Sequence, residues 1–432
     1  MPRITINQLG PIQHCELEID EFMVFTGPQS SGKSTIAKSV FLFKNVKNIL
    51  VQLLRKQNLL NDDSTNLIFG MSLKNRLIRE LRSNFLQIFG TTWCMDRNMF
   101  LKYEYRENVW IQISLKDDQM SPNYIWIEFS RELLHFLEEL ERGSGAGELI
   151  LAFDIQDTLK QRMNQFFADD LEIIYIPAGR SMMTLLSTQL GYIYSMMDDL
   201  QRRSIDYCTQ NYIERILQLK PFFSVSLEEM VKSRKELTDQ KLNAGLLKQV
   251  IDLIKKILRG EYRNIDGEER LQVSQNRYVK INFASSGQQE AVWILNVLFY
   301  YLLQGKKAHF IVEEPESHLY PDAQKLMTEF LALVKNAGNQ VVLTTHSPYI
   351  LGTMNNLLYA YKISKQVDQE KLHRIINRDK WIDYGNLSAY YVGDGQCRLC
   401  VDPEFQAIEN EMIDGASEEI NRDYDRMLAL DE

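Results

Sequence analysis

The stretch Gly27-Pro28-Gln29-Ser30-Ser31-Gly32-Lys33-Ser34-Thr35 constrains the fold more than any other. It has the form G-x-x-x-x-G-K-S, follows an extended run (Glu21-Phe22-Met23-Val24-Phe25-Thr26) and precedes a helical one (Ile36 to Phe43). That is the strand, loop and helix context in which such a loop cradles phosphate. The glycines let backbone N–H groups converge on phosphate oxygens at a helix N-terminus, where the macrodipole favours anions. Lys33 is then placed to reach the β- and γ-phosphates of a nucleoside triphosphate, and Ser34 to offer its hydroxyl to Mg²⁺. An ordinary Gly-Ser loop capping a helix is disfavoured, because residue types and context agree.

At 432 residues the chain is long enough for two or more sub-domains. Its apolar content, 45% with 10% aromatic, argues against global disorder. The longest apolar run, Val292 to Leu303 with only Asn296 interrupting, is shorter than the roughly 20 residues that span a bilayer, and reads as a buried helix. The N-terminal residues pass straight into a strand pattern without the apolar stretch of a signal peptide, so a cytoplasmic protein without membrane attachment is expected. Five widely scattered cysteines suggest no disulfide framework. Cys397-Arg398-Leu399-Cys400 is a single C-x-x-C without a second pair to complete a zinc site, and reads as two incidental thiols on a short strand. The net charge of −9 resides in the last 31 residues, with 11 acidic side chains and two arginines, so the remaining 401 residues are neutral overall. A local basic patch that contacts nucleic acid is therefore not excluded.

Residues 3–26 read as strands around a Gly10-Pro11 turn, and residues 41–89 as helical. Residues 100–130 alternate as an antiparallel meander. Lys74, Arg76, Arg79 and Arg82 put charge on successive turns of one helix, which fits a solvated face better than a phosphate-contacting stripe. Gly143 to Gly147 marks a loop. Leu171 to Ile176 reads as a buried strand leading to Arg180, which either approaches nucleotide or an adjoining subunit, or is held in a structural ion pair. Residues 184–260 are mostly helical and carry a second set of basic side chains between Lys232 and Arg259.

Three more motifs follow. Ala284-Ser285-Ser286-Gly287-Gln288-Gln289-Glu290 opens a long helix and is either a plain N-cap, Ser with Gln or Glu after it, or a second anion site. His309 to Val312 is an apolar strand running into the paired carboxylates Glu313 and Glu314. Phosphoryl-transfer enzymes need one carboxylate beside Mg²⁺ and another that orients or deprotonates the attacking water, so Glu313 is assigned to the metal and Glu314 to the water. Gln340 to Thr345 is a third apolar strand ending at His346, a candidate for γ-phosphate contact.

In this order and spacing the chain resembles the ABC-type ATPases with a split head, the group that includes chromosome-maintenance, RecF-like repair and overcoming-lysogenization-defect (OLD) ATPases. Gly27–Thr35 matches their Walker A loop, Ser285-Ser286-Gly287-Gln288 the signature, Phe310–Glu314 Walker B, Glu316–Pro321 the D-loop region and His346 the switch histidine. Glu313 stands where aspartate is commonest, Ala284 replaces the usual leading Leu, and Gln189 is not carried over as a Q-loop residue.

The resemblance implies an α/β P-loop head with a mixed sheet and an antiparallel β subdomain, a helical insertion and a short α/β C-terminal tail. The corresponding boundaries are 1–183 and 276–375 for the two halves of the head, 184–275 for the insertion and 376–432 for the acidic C-terminal segment. It also implies that ATP and Mg²⁺ are bound between Walker A of one copy and Ser285–Gly287 of another, in a homodimer or larger homo-oligomer. A nuclease domain of the OLD kind is not expected, since the sole late Asp-x-Asp is Asp423-Tyr424-Asp425 in the acidic segment. The chain is similar to ATPase components of two-gene anti-phage systems of the PARIS or Septu kind, which implies a separately encoded effector. The alternatives are a RecF-like ATPase that binds DNA through its basic helices, and a scaffold that binds ATP without hydrolysing it.

Overall fold

The computed structural model describes residues 1–59, 71–118, 121–143, 152–185, 204–237 and 243–409, with a few positions between and beyond these segments. Gln189, most of the 143–147 loop and Asp423 lie outside the described residues. In chain order the strands are β1 (Arg3–Leu9), β2 (Ile12–Glu18), β3 (Phe22–Thr26), β4 (Phe100–Arg106), β5 (Val109–Asp118), β6 (Ser121–Phe129) and β7 (Glu172–Ile176). Then come β8 (Glu261–Ile265), β9 (Glu268–Ser274), β10 (Arg277–Lys280), β11 (Ala308–Glu313), β12 (Gln340–Thr344), β13 (Leu387–Gly393) and β14 (Gln396–Leu399).

Eleven of them form one sheet in the order β6-β5-β4-β1-β2-β14-β13-β3-β12-β11-β7. Its two ends follow different sequence rules. At one end β6, β5, β4, β1 and β2 pair antiparallel, as the alternation in 100–130 predicts. β4 keeps a strict alternation of buried and half-buried positions, because only one of its faces is fully covered. At the other end β13, β3, β12, β11 and β7 are parallel. Here β3 and β11 are buried at every position, the pattern of strands covered on both faces.

The pleat of β3 divides the core in two. Phe22 and Val24 join one cluster, with Trp293, Phe310 and Leu343, while Met23 and Phe25 join the other, with Ile36, Val40 and Ile311. Helix α1 (Lys33–Lys44) covers the second face. On the first lie α2 (Ala244–Leu258), α3 (Ser286–Gln304) and α4 (Pro321–Asn336). The apolar run at 292–303 is indeed a buried helix, α3, which ends on Gly305 in the left-handed conformation.

Two features depart from the sequence expectations. The segment set apart from residue 376 by its acidity supplies β13 and β14 to the middle of the sheet, β13 lying parallel to β3. Cys15 of β2 and Cys397 of β14 form a disulfide across adjacent strands, with Cα atoms 5.4 Å apart, although 382 positions separate them in sequence. The expectation of no disulfide, and of Cys397 and Cys400 as a pair of incidental thiols, is corrected accordingly: only Cys400 of the two is a free thiol, and it is buried.

Candidate functional site

The phosphate loop leaves β3 at the carboxyl end of the parallel strands, where ligands gather in open α/β sheets. Gly27 has φ 140°, and a Cβ there would meet the Val392 carbonyl oxygen of β13 at 2.2 Å, so only glycine fits. Gly32 has φ 109° and precedes α1, whose first turn carries no acidic residue to oppose an anion. Lys33 is nearly buried, and its ammonium donates to the carbonyl oxygens of Gly27 (2.9 Å) and Pro28 (2.7 Å). Burial lowers its pKa to about 8, although the charges of Glu314 and Glu316 work in the other direction. Ser34 and Thr35 border a cavity of about 470 Å³ that is also lined by Gln8, Lys38, Phe89 and Thr91.

The β11 and β12 ends bring the other predicted residues to this loop. The Lys33 ammonium lies 3.4 Å from Nδ1 of His346, and Nε2 of His346 lies 3.4 Å from Oε1 of Glu314. A lysine ammonium can only donate, so Nδ1 is the acceptor toward Lys33 and Nε2 is the ring nitrogen that faces the carboxylate. Glu316 was quoted with the D-loop but given no role of its own. Its Oε1 accepts from Thr345 Oγ1 (2.6 Å) and from the His346 backbone N–H (2.7 Å), which fixes the turn on which the histidine sits.

Glu313 is buried at the end of β11. Its Oε2 accepts from the Ala178 N–H (3.0 Å), and its Oε1 is buried without a hydrogen-bond donor. A buried carboxylate oxygen that makes no hydrogen bond suits a cation, and Glu313 fits Mg²⁺ on that ground.

Among the described residues no hydrogen bond joins Ser285, Ser286, Gly287 or Gln288 to residues 27–35. Ser285 caps α3 in a capping box with Gln288, so the plain N-cap reading is correct for their side chains. Gln288 also donates to the Leu258 carbonyl at the end of α2 (2.6 Å). In the first turn of α3 Ser286 is exposed, whereas Gly287 is buried. Arg180 is fully buried and paired with Glu290 of α3, which selects the ion-pair alternative. Glu290 closes the run from Ala284 that the sequence marks at the start of α3, but nothing in local spacing gives it Arg180 as a partner. Of the side chains on the basic helices, Arg82 and Lys255 are engaged within the chain, while Lys74, Arg79, Lys232, Lys235, Lys248, Lys256 and Arg259 are exposed. Arg82 donates to the Ile125 carbonyl and stacks on Tyr124, and Lys255 pairs with Glu228 and Glu261.

Loop, strand order and converging side chains define a P-loop nucleotide-binding protein with a mixed α/β sheet. The chain belongs to the AAA ATPase domain family, whose profile matches residues 1–351. Solved structures similar to it include a head of structural-maintenance-of-chromosomes (SMC) type bound to the C-winged helix domain of ScpA, at 11% identity and TM-score 0.42 over 92% of this chain and 95% of that one. The SMC head domain from Thermotoga maritima aligns at 11% identity and TM-score 0.35, over 92% and 97% of the two chains. A Pyrococcus furiosus SMC head with an extended coiled coil, bound to the C-terminal domain of ScpA, aligns at 11% and 0.38, over 98% and 100%. No curated protein matches the chain. Among the described residues no helix is long and apolar enough to cross a membrane.

Proposed function

We propose that the protein is an ATPase that closes as a dimer or larger homo-oligomer around ATP and thereby controls a separately encoded effector. The observation that carries the catalytic part is the chain of contacts from Lys33 through His346 to Glu314, formed by three separate strand ends. The loop N–H groups and Lys33 hold the phosphates, and the cavity beside Ser34 and Thr35 has room for the nucleoside end. Glu314 takes the proton of a water whose oxygen attacks the γ-phosphorus, while the bond from that phosphorus to the β–γ bridging oxygen breaks and ADP leaves. His346 turns Nε2 toward the same site and orients Glu314. Glu313 and Ser34 would hold Mg²⁺, which supplies neutralisation of the phosphate charge when bound. The N-terminus of α3, opened by Ser285, completes the pocket of a second copy. Control of an effector in anti-phage defence is supported by the resemblance of the Glu313–Pro321 run to the OLD-type branch.

The test is turnover of ATP by the purified protein beside Glu314→Gln. Wild-type hydrolysis, with Glu314→Gln retaining ATP, accumulating dimer and losing about 10²-fold or more in rate, is expected. Hydrolysis at the normal rate by Glu314→Gln would show that the base is another group. Absence of wild-type turnover would leave an ATP-dependent scaffold, and a rate driven by DNA with a steep salt slope would point to repair.

A further inference from the structure

The turn after β11 adopts a conformation that its sequence does not favour. Glu314 has φ 41°, in the left-handed region that a glutamate rarely enters, and the surrounding bonds must hold it there. Its N–H donates to the Thr344 carbonyl at 2.9 Å. The rest of the restraint comes from Arg180. Nη2 donates to the Glu314 carbonyl (2.9 Å), and Nη1 to the carbonyls of Glu313 (2.6 Å) and Pro177 (2.6 Å). Nε donates to the Glu290 carbonyl (3.0 Å) and lies 3.2 Å from the Glu290 carboxylate. Four hydrogen bonds to backbone oxygens leave this guanidinium directed at the turn.

Glu290 is equally committed. Its carboxylate, 1% exposed with its residue, accepts from the N–H groups of Arg180 (3.0 Å) and Ser181 (2.9 Å). It stands on α3 five residues after Ser285, and one rigid helix carries both.

We propose that Arg180 and Glu290 are positioning residues for hydrolysis. Arg180 fixes the backbone turn from which the Glu314 carboxylate projects, and Glu290 ties that turn to the helix opened by the signature serine. A ligand that bears on Ser285 thus bears, through Glu290 and Arg180, on the carbonyl of Glu314. The inference rests on Glu314 being the base that activates water.

Arg180→Lys keeps a cation but replaces the fork by one ammonium, which cannot serve four separated carbonyl oxygens. Glu290→Gln keeps an acceptor oxygen and removes the charge. Both variants are expected to bind a fluorescent ATP analogue within about threefold of wild type while kcat falls by ~10- to 100-fold, the effect of a small misplacement of a reacting group. A structural role alone would lower the melting temperature without this split between affinity and kcat. A double-mutant cycle sharpens the distinction: in the Glu314→Gln background, Glu290→Gln should slow turnover no further, because its effect passes through the carboxylate already removed. If Arg180→Lys lacks a cooperative melt, Glu290→Gln carries the test. A folded Glu290→Gln protein with kcat within twofold of wild type, or with a fully additive loss in the double mutant, overturns the inference while leaving the ATPase reading intact. A wild-type protein without turnover overturns that reading and this inference with it.

Discussion

A carbon placed on Gly287 would sit 2.5 Å from the carbonyl oxygen of His318, so the first turn of α3 and the turn after Walker B are in backbone contact. Gly287 has an ordinary helical conformation, so its requirement comes from this approach and not from φ. Gly287→Ala should therefore push two backbones apart and cost about 1–3 kcal/mol in urea unfolding. ATP binding by the isolated chain should be nearly unchanged, because the loop at 27–35 is remote from this contact in the hydrogen-bond network. Turnover should fall with the displaced helix N-terminus. Unfolding and nucleotide titration on the same preparation check both parts, and an unchanged midpoint would mean the two turns separate freely.

The strand ends that carry residues 27–35, Glu313, Glu314 and His346 were legible because each is encoded in a few consecutive residues. The buried ends of β3, β11 and β12 were equally legible from their unbroken apolar runs. What stayed hidden depends on which strands become neighbours. Cys15 and Cys397 are distant in sequence and meet only because β14 lies beside β2. Arg180 could be read either way until α3 placed Glu290 against it. Glu316 was hidden for a similar reason, since its partners Thr345 and His346 belong to another strand end.

Glu316 offers a pH-dependent prediction. Burial holds its carboxyl above the ordinary 4.5, although the bonds from Thr345 and His346 pull the other way. A raised folded value means that the stability contributed by this group is present below pH 4.5 and is lost as pH rises through the folded value. Glu316→Gln carries no such loss and retains an accepting oxygen. It should match wild type in thermal stability near pH 4 and exceed it at pH 7, with turnover within a few-fold. Glu316→Ala, which releases the His346 N–H, should lose about tenfold in turnover. Melting curves of Glu316→Gln that parallel wild type at every pH would contradict the argument.

Thiol titration separates the five cysteines. Cys94 is exposed, Cys208 and Cys400 are buried, and burial pushes the Cys400 thiol up to about 12, where little thiolate forms at neutral pH. The oxidised native protein should thus react quickly at Cys94 alone, expose Cys208 and Cys400 on unfolding, and yield Cys15 and Cys397 only after reduction. Reduction should lower stability by about 2–4 kcal/mol. Mass spectrometry of the labelled peptides decides the order, and fast native labelling of Cys15 or Cys397 would exclude the bridge.

At the amino ends of the parallel strands, away from the phosphate loop at their carboxyl ends, Asp169 sits between two buried lysines, 3.3 Å from Lys44 Nζ and 3.4 Å from Lys47 Nζ. Lys47 also donates to the Asp169 and Leu171 carbonyls, which ties the Val46–Leu59 helix to the start of β7. Burial lowers both lysine pKa values below 10.5, and the charge and hydrogen bonds of Asp169, with Asp170 contributing less at Lys47, limit the fall. Asp169→Asn leaves two buried cations without their paired carboxylate and should cost about 3–5 kcal/mol at pH 7. The sign with pH follows from proton counts. Between the folded lysine values and 10.5 the unfolded chain binds more protons, so stability rises with pH, and it rises further in the variant because its lysines lose protons earlier. The deficit of Asp169→Asn should therefore shrink between pH 7 and pH 10. Urea unfolding at the two pH values measures it, and a constant deficit would mean that the lysines stay charged through hydration that the buried geometry does not provide.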